Sequence, residues 1–151
     1  MSSVHISHKT FIAASAETVW GVTIDITAWP DWSPTITSVV KRGSDPLAEG
    51  LVVDLKQPYQ PVRSWIVLRC EAPHLLILGT VEGDMTARHQ ISQEARGTRN
   101  RLTLEYAGAF AKLLRPAFRT ALRMENFGLK GRCEARERTV QCETRPNGGR
   151  S

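Results

Sequence analysis

Residues 110–138 read FAKLLRPAFRTALRMENFGLKGRCEARER, the one segment of the chain long enough for a major helix. At about 100° per residue, Ala111, Leu114, Phe118, Ala121, Leu122 and Leu129 fall on one stripe, with Lys112, Arg119, Arg123 and Lys130 opposite. Such a stripe needs an apolar partner, so the rest of the chain is expected to wrap it. Glu125 interrupts the stripe between Phe118 and Leu129. A carboxylate there calls for something polar or wet beneath it, or for a helix end from which it reaches solvent or an Arg. Pro116 falls within the first turns, so the helix is expected to start late or to bend there.

The partner is written in the residues before it. Residues 4–13 alternate, with Val4, Ile6, His8, Thr10 and Ile12 on one strand face. His5 and His8 then lie on opposite faces and cannot share a metal ion. Ser15 offers an N-cap and Glu17 suits the positive end of a helix dipole, predicting a short helix to about Ile24. Residues 25–34, with two prolines and two tryptophans, predict a turn of helix plus loop. Strand-like runs follow at 36–42, 51–55, 62–71, 75–81, 85–93 and 98–106, separated by turns such as Gly43-Ser44-Asp45-Pro46 and Glu82-Gly83-Asp84. With the first strand that makes seven, linked mostly by hairpin-length turns, so the fold class is α+β with an antiparallel sheet.

Composition narrows the class further. A chain of 151 residues is expected to form a single domain over 1–140, with 141–151 a disordered tail ending in Pro-Asn-Gly-Gly-Arg-Ser. No apolar run approaches the ~20 residues of a membrane span, and the first residues carry no leader pattern, so a cytoplasmic location is expected. Cys70, Cys133 and Cys142 are odd in number and widely spaced, which suits neither a disulfide framework nor a zinc site. The net charge of +5 is concentrated at the end: from Lys130 onward six basic residues face three acidic ones. That is a solvated helix end rather than a nucleic-acid surface, and no nucleic-acid partner is expected.

Several motifs occur in an order that resembles one family. Phe11-Ile12-Ala13, Thr18-Val19-Trp20, Asp25 and Trp29-Pro30-Asp31-Trp32-Ser33-Pro34 resemble the opening of the SRPBCC superfamily. Gly97-Thr98-Arg99 with Gly108 resembles its closing hairpin, and Leu129-Lys130 with Glu134 the end of its last helix. This superfamily includes START-related lipid carriers, pathogenesis-related proteins, polyketide cyclases and coenzyme Q-binding proteins. The resemblance spans roughly residues 4–138 and implies a helix-grip fold, in which the sheet curls around the C-terminal helix and encloses an apolar cavity.

In that fold, strand parity assigns the cavity wall to Val53, Leu55, Ile66, Leu68, Leu76, Leu78, Met85, Ala87, His89, Leu102, Leu104 and Tyr106. The helix adds Leu114, Phe118, Ala121, Leu122 and Glu125. The expected function is binding of a small hydrophobic molecule such as a lipid, a quinone or an aromatic polyketide. The alternative is a cyclase or dehydratase in which His89, Tyr106 and Glu125 transfer protons. No nucleophile motif, metal-ligand set, phosphate loop or dinucleotide fingerprint is present, so no cofactor or metal is expected. Leu113, Met124 and Phe127 fall off the inward stripe and offer a surface for a homodimer.

Overall fold

Alternation governs the first strand, β1 (Ser3–Ile12). Val4, Ile6 and Ile12 are buried on one face with His8 beside them, and His5 points away toward Glu105, Nε2 to Oε1 3.6 Å. The structure is a computed structural model that describes residues 2–144. Helix α1 (Ala16–Ile24) starts where Ser15 Oγ accepts the Thr18 N–H at 3.2 Å, with Glu17 in its first turn. A 3₁₀ turn, Ile26–Asp31, holds Trp29 in the core through Nε1–H donated to the Thr23 carbonyl at 3.0 Å.

The chain has by then crossed the sheet's full width. It returns as a meander of β2 (Ser38–Lys41), β3 (Val52–Lys56), β4 (Arg63–Glu71), β5 (Leu75–Thr80), β6 (Met85–Glu94) and β7 (Gly97–Ala107). The order is β1-β7-β6-β5-β4-β3-β2, with every neighbouring pair antiparallel. The run expected at 36–42 shortens to β2, because Ile36 is buried in the core rather than paired.

Helix α2 (Ala111–Thr144) is longer than its apolar stripe requires. It does not start late: Pro116 is its sixth residue, where the missing N–H forfeits the bond to the Lys112 carbonyl. The helix runs on through 141–144, and the rest of the expected tail, 145–151, lies outside the described residues.

Strand β4 corrects the sequence reading. Its 62–71 run is apolar on both faces, so alternation alone could not orient it. Pairing decides the matter: Val53 lies opposite Trp65, and Val67 opposite Leu78, so Trp65 and Val67 face inward. Ile66 and Leu68 therefore point outward, and Leu68 is 46% exposed, lying over Gly79, where any Cβ would meet its Cδ1 at 2.8 Å. A register shift between Val67 and Arg69 then reverses the parity, which brings Cys70 to the inner face opposite Leu76.

Two apolar clusters make the core. The larger joins α1, the 3₁₀ turn, β2–β6 and the later part of α2 through Leu129 and Cys133. The smaller joins β1 and β7 to the early part of α2 through Val4, Ile6, Leu102, Leu104, Ala111 and Leu122. Met85 and Ala87 touch both, and the clusters do not otherwise merge along that seam.

The later part of α2 is pinned at several points. Glu134 Oε2 accepts from the Ala13 N–H at 2.8 Å and from Lys130 Nζ at 2.6 Å, and Lys130 also donates to the Phe11 carbonyl. Thr18 Oγ1 donates to Glu137. The Lys130 and Glu134 motif thus fastens the helix to the β1–α1 corner. Gly128 brings the helix against the 3₁₀ turn so closely that a Cβ would stand 2.0 Å from the Trp32 carbonyl oxygen. Gly128→Ala is expected to force the helix outward and lower the thermal midpoint by several degrees, read by calorimetry. An unchanged midpoint would show that helix and turn separate without cost.

Candidate ligand cavity

The seam between the two clusters is a cavity of about 370 Å³. Strand pairing stacks its wall: Leu78 beside Ala87, Ala87 beside Leu104, His89 beside Leu102, and Met85 beside Tyr106. Leu55 and Trp65 close one flank, and α2 covers the top with Leu114, Ala117, Phe118, Ala121, Leu122 and Glu125. Three of its lining positions, Ala87, Ala117 and Ala121, carry side chains too short to fill the space.

Leu55, Leu78, Met85, Ala87, His89, Leu102, Leu104, Tyr106, Leu114, Phe118, Ala121, Leu122 and Glu125 all border this one space. Val53 and Leu76 do not: both face inward but are fully buried within the packed core. Ile66 and Leu68 are on the outer face for the pairing reason given above. Sequence reasoning missed Trp29, Thr35, Ile36, Gln57, Gln60, Arg63, Trp65, Arg88, Thr103 and Ala117. Trp65 carries no sequence signal of its side, because only the register against Val53 picks the inner face of the 62–71 run. The loop residues carry no periodic signal.

The cavity has apolar walls, a polar mouth and one polar pair at its floor. It opens where its lining residues are exposed, between Gln60 and the Leu114 and Ala117 positions of α2. At the mouth Arg63 faces inward from β4 and is fixed by Asp84 at 2.6 Å and Glu82 at 3.2 Å, and Thr80 Oγ1 donates to the same Asp84. The Asp84 carboxylate holds the Arg63 guanidinium above its ordinary pKa, so it is a permanent cation there. Lys56 Nζ ties down the β3–β4 loop through the carbonyls of Gln57 and Gln60.

The floor holds the pair that the helix pattern flagged. Glu125 is mid-helix, not near an end, and its Oε1 lies 3.8 Å from His89 Nε2. The His89 ring packs on Trp29 at 5.4 Å between centroids, and its Nδ1 has no hydrogen-bond partner among the described residues. Burial acts oppositely on the two groups because it penalises the charged form of each. It pushes His89 down to about 4 and Glu125 up to about 7. Between those values the floor is a neutral imidazole facing a neutral carboxylic acid. A distance of 3.8 Å is too long for a hydrogen bond between them, but a single oxygen about 2.8 Å from both atoms fits across it.

Tyr106 is not part of this pair. Its partner across the sheet is Met85, four residues along from His89, which sets it about 13 Å away at a strand's rise per residue. It lies at the mouth, edge-on to Phe118 at 5.4 Å, with its hydroxyl 3.5 Å from the Ala109 carbonyl.

The sequence profile of the family described as polyketide cyclase / dehydrase and lipid transport matches residues 3–134. No curated protein matches the chain. Among solved structures, the chain is similar to the di-domain ARO/CYC StfQ from the steffimycin biosynthetic pathway, with TM-score 0.74 and 11% identity over 89% of this chain and 52% of that one. The di-domain ARO/CYC BexL from the BE-7585A biosynthetic pathway gives TM-score 0.67 and 19% identity over 95% of this chain and 51% of that one. The chain therefore spans about half the length of each. Protein MLL2253 from Mesorhizobium loti gives TM-score 0.72 and 11% identity over 87% of this chain and 98% of that one. At these identities the likeness is one of fold.

Proposed function

The chain belongs to the polyketide cyclase / dehydrase and lipid transport family, and from that premise we propose that its cavity holds a small hydrophobic molecule with one polar end. A lipid, a quinone or an aromatic polyketide-like compound has this form. The carrying observation is the cavity itself: apolar walls, a mouth at one end, and a single polar pair at the floor. Burial of the apolar body supplies affinity at roughly 25 cal/mol per Å². Glu125 and His89 orient the polar end, the acid donating to a ligand oxygen and the imidazole lending its nitrogen.

Native mass spectrometry of the freshly purified protein, followed by solvent extraction, tests this. The expected result is one retained apolar compound per chain, lost in Ala87→Trp, which fills the cavity. A protein that stays empty and does not bind an apolar fluorophore would sink the reading.

A second reading is favoured by the floor pair alone. Two titratable groups whose environments push their pKa values apart are how an acid and a base are set against one substrate. In a cyclase or dehydratase, Glu125 would donate a proton to a carbonyl or hydroxyl oxygen while His89 accepts one from carbon. Then His89→Ala would abolish turnover and leave ligand binding intact, whereas in a carrier the same change would weaken binding with no reaction to lose.

Among the described residues no helix is long and apolar enough to cross a membrane. All three cysteines are free thiols, which suits the reducing cytoplasm we assign to the protein. We assign no nucleic-acid partner, because much of the excess positive charge lies from Lys130 onward, where Lys130, Arg132, Arg136 and Arg138 stand among Glu134 and Glu137 on a solvated helix end. If the chain pairs with itself, Leu113, Met124 and Phe127 are the apolar side chains α2 leaves uncovered for the contact.

A further inference from the structure

The rim of the cavity carries apolar side chains that cover nothing. Tyr59 and Val62 are exposed on the β3–β4 loop, and Phe110 and Leu113 are 71% and 75% exposed where α2 begins. The antiparallel meander puts both segments at the same end of the sheet, with the cavity mouth between them. Tyr59 and Phe110 have φ of 63° and 64°, a left-handed conformation that residues other than glycine adopt rarely. Both aromatic rings are thus held in solvent at a cost in backbone strain, and such strain concentrates at working surfaces.

Charge says what covers this rim. Residues 111–124 contain Lys112, Arg115, Arg119 and Arg123 and no acidic residue. All four are exposed, and none has an ion-pair partner among the described residues. At helical spacing they form one flank of the outward stripe that Leu113 begins and Phe127 continues. A helix with an exposed apolar edge beside an unpaired basic flank is the pattern of a segment lying in an anionic lipid surface.

We propose that this end of the molecule docks on a bilayer containing anionic lipid. Tyr59, Phe110 and Leu113 enter the boundary between headgroups and acyl chains, and the basic flank of α2 rests on the headgroups. The cavity mouth then opens onto the membrane, and an apolar ligand passes between the two without crossing water. That route rests on the cavity reading above, but the docking does not. A second copy of the chain is the weaker occupant, because a two-fold contact on the same stripe brings eight like charges together about the axis, twice the four of one chain.

Cosedimentation of the full chain with vesicles, no ligand added, tests the docking by itself. Phosphatidylcholine vesicles are compared with phosphatidylcholine mixed with phosphatidylserine. The expected result is binding to the mixed vesicles, reversed by salt, and weakened about fivefold by each of Arg115→Gln and Arg119→Gln. The double variant Phe110→Ser, Leu113→Ser should abolish it. The arginine variants touch no buried group, so they decide the matter even where the double variant folds poorly. No binding to mixed vesicles at low salt overturns the proposal, as does binding that neither arginine variant weakens. A dimer in solution that Leu113→Ser dissolves, without vesicle binding, gives the surface to a second copy instead.

Discussion

Asn126→Ala is expected to cost the fold about 3–4 kcal/mol. Asn126 is fully buried on α2, one residue past Glu125, and accepts from Asn100 Nδ2 at 2.8 Å. Its own amide lies 2.8 Å from His8 Nδ1 and donates to the His8 carbonyl at 3.0 Å. The side chain therefore ties α2 to β1 and β7 together. Truncation removes three hydrogen bonds of about 1 kcal/mol each and strands the fully buried Asn100 amide, while the half-buried His8 keeps some access to solvent. Asn100 is already poorly served, since its Oδ1 has no partner among the described residues, so losing the Nδ2 bond as well leaves its buried side-chain amide unsatisfied there. Urea unfolding at fixed pH measures the change, and a loss below about 1 kcal/mol would mean that water takes over the role.

The second large effect is on the pH dependence of stability, where two groups oppose each other. Glu125 has its folded pKa raised to about 7, against an ordinary value of 4.5. Between those values the unfolded chain has released the proton and the folded chain keeps it, so stability falls as pH rises, by about 3 kcal/mol in all. His89 has its folded pKa lowered to about 4 from 6.5. There the unfolded chain binds a proton that the folded chain refuses, so stability rises with pH across that window by about the same amount. From about pH 4.5 to 6.5 the two cancel, and the native protein is expected to show a nearly flat profile. Glu125→Gln uncovers the His89 rise, and above pH 7 it is more stable than the native protein by about 3 kcal/mol. His89→Gln uncovers the Glu125 fall between about pH 4.5 and 7. Urea midpoints across pH test both, and profiles parallel to the native one in both variants would show that neither group is desolvated.

What the sequence disclosed follows from the range of the forces involved. The helix stripe, the Ser15 cap and the strand count are local, each set by residues within a few positions, and all appear in the structure. The inner faces of β6 and β7 were legible because inward Met85, Ala87, His89 and Ile91 alternate with Thr86, Arg88 and Gln90, and Leu102, Leu104 and Tyr106 with Thr103 and Glu105. β4 was not, because Trp65, Ile66, Val67 and Leu68 are all apolar and only pairing with β3 and β5 picks a side. Glu125 stood out as a carboxylate among apolar neighbours, and it lies against His89, 36 residues away in sequence but 3.8 Å away in space. Nothing in the spacing pairs them, since the register of β6 and the roll of α2 together set the distance. Asn126 drew no notice for the same reason: a polar residue on a helix flank reads as solvated until the strand beneath it is known.

The unequal fastening of α2 bears on how fast the cavity can exchange its contents. Hydrogen bonds and a close backbone contact hold the helix from Asn126 to Glu137, whereas its opening turns are exposed and lack the bond that Pro116 cannot make. Local unfolding has a low free energy where buried contacts are few, so the opening turns are expected to open before the remainder of the helix does. For a ligand held as proposed, the expected residence time is set by fraying beside Leu114 and Ala117, not by the global stability. A substitution that weakens the fold through Asn126 and one that slows release from the mouth act on separate barriers.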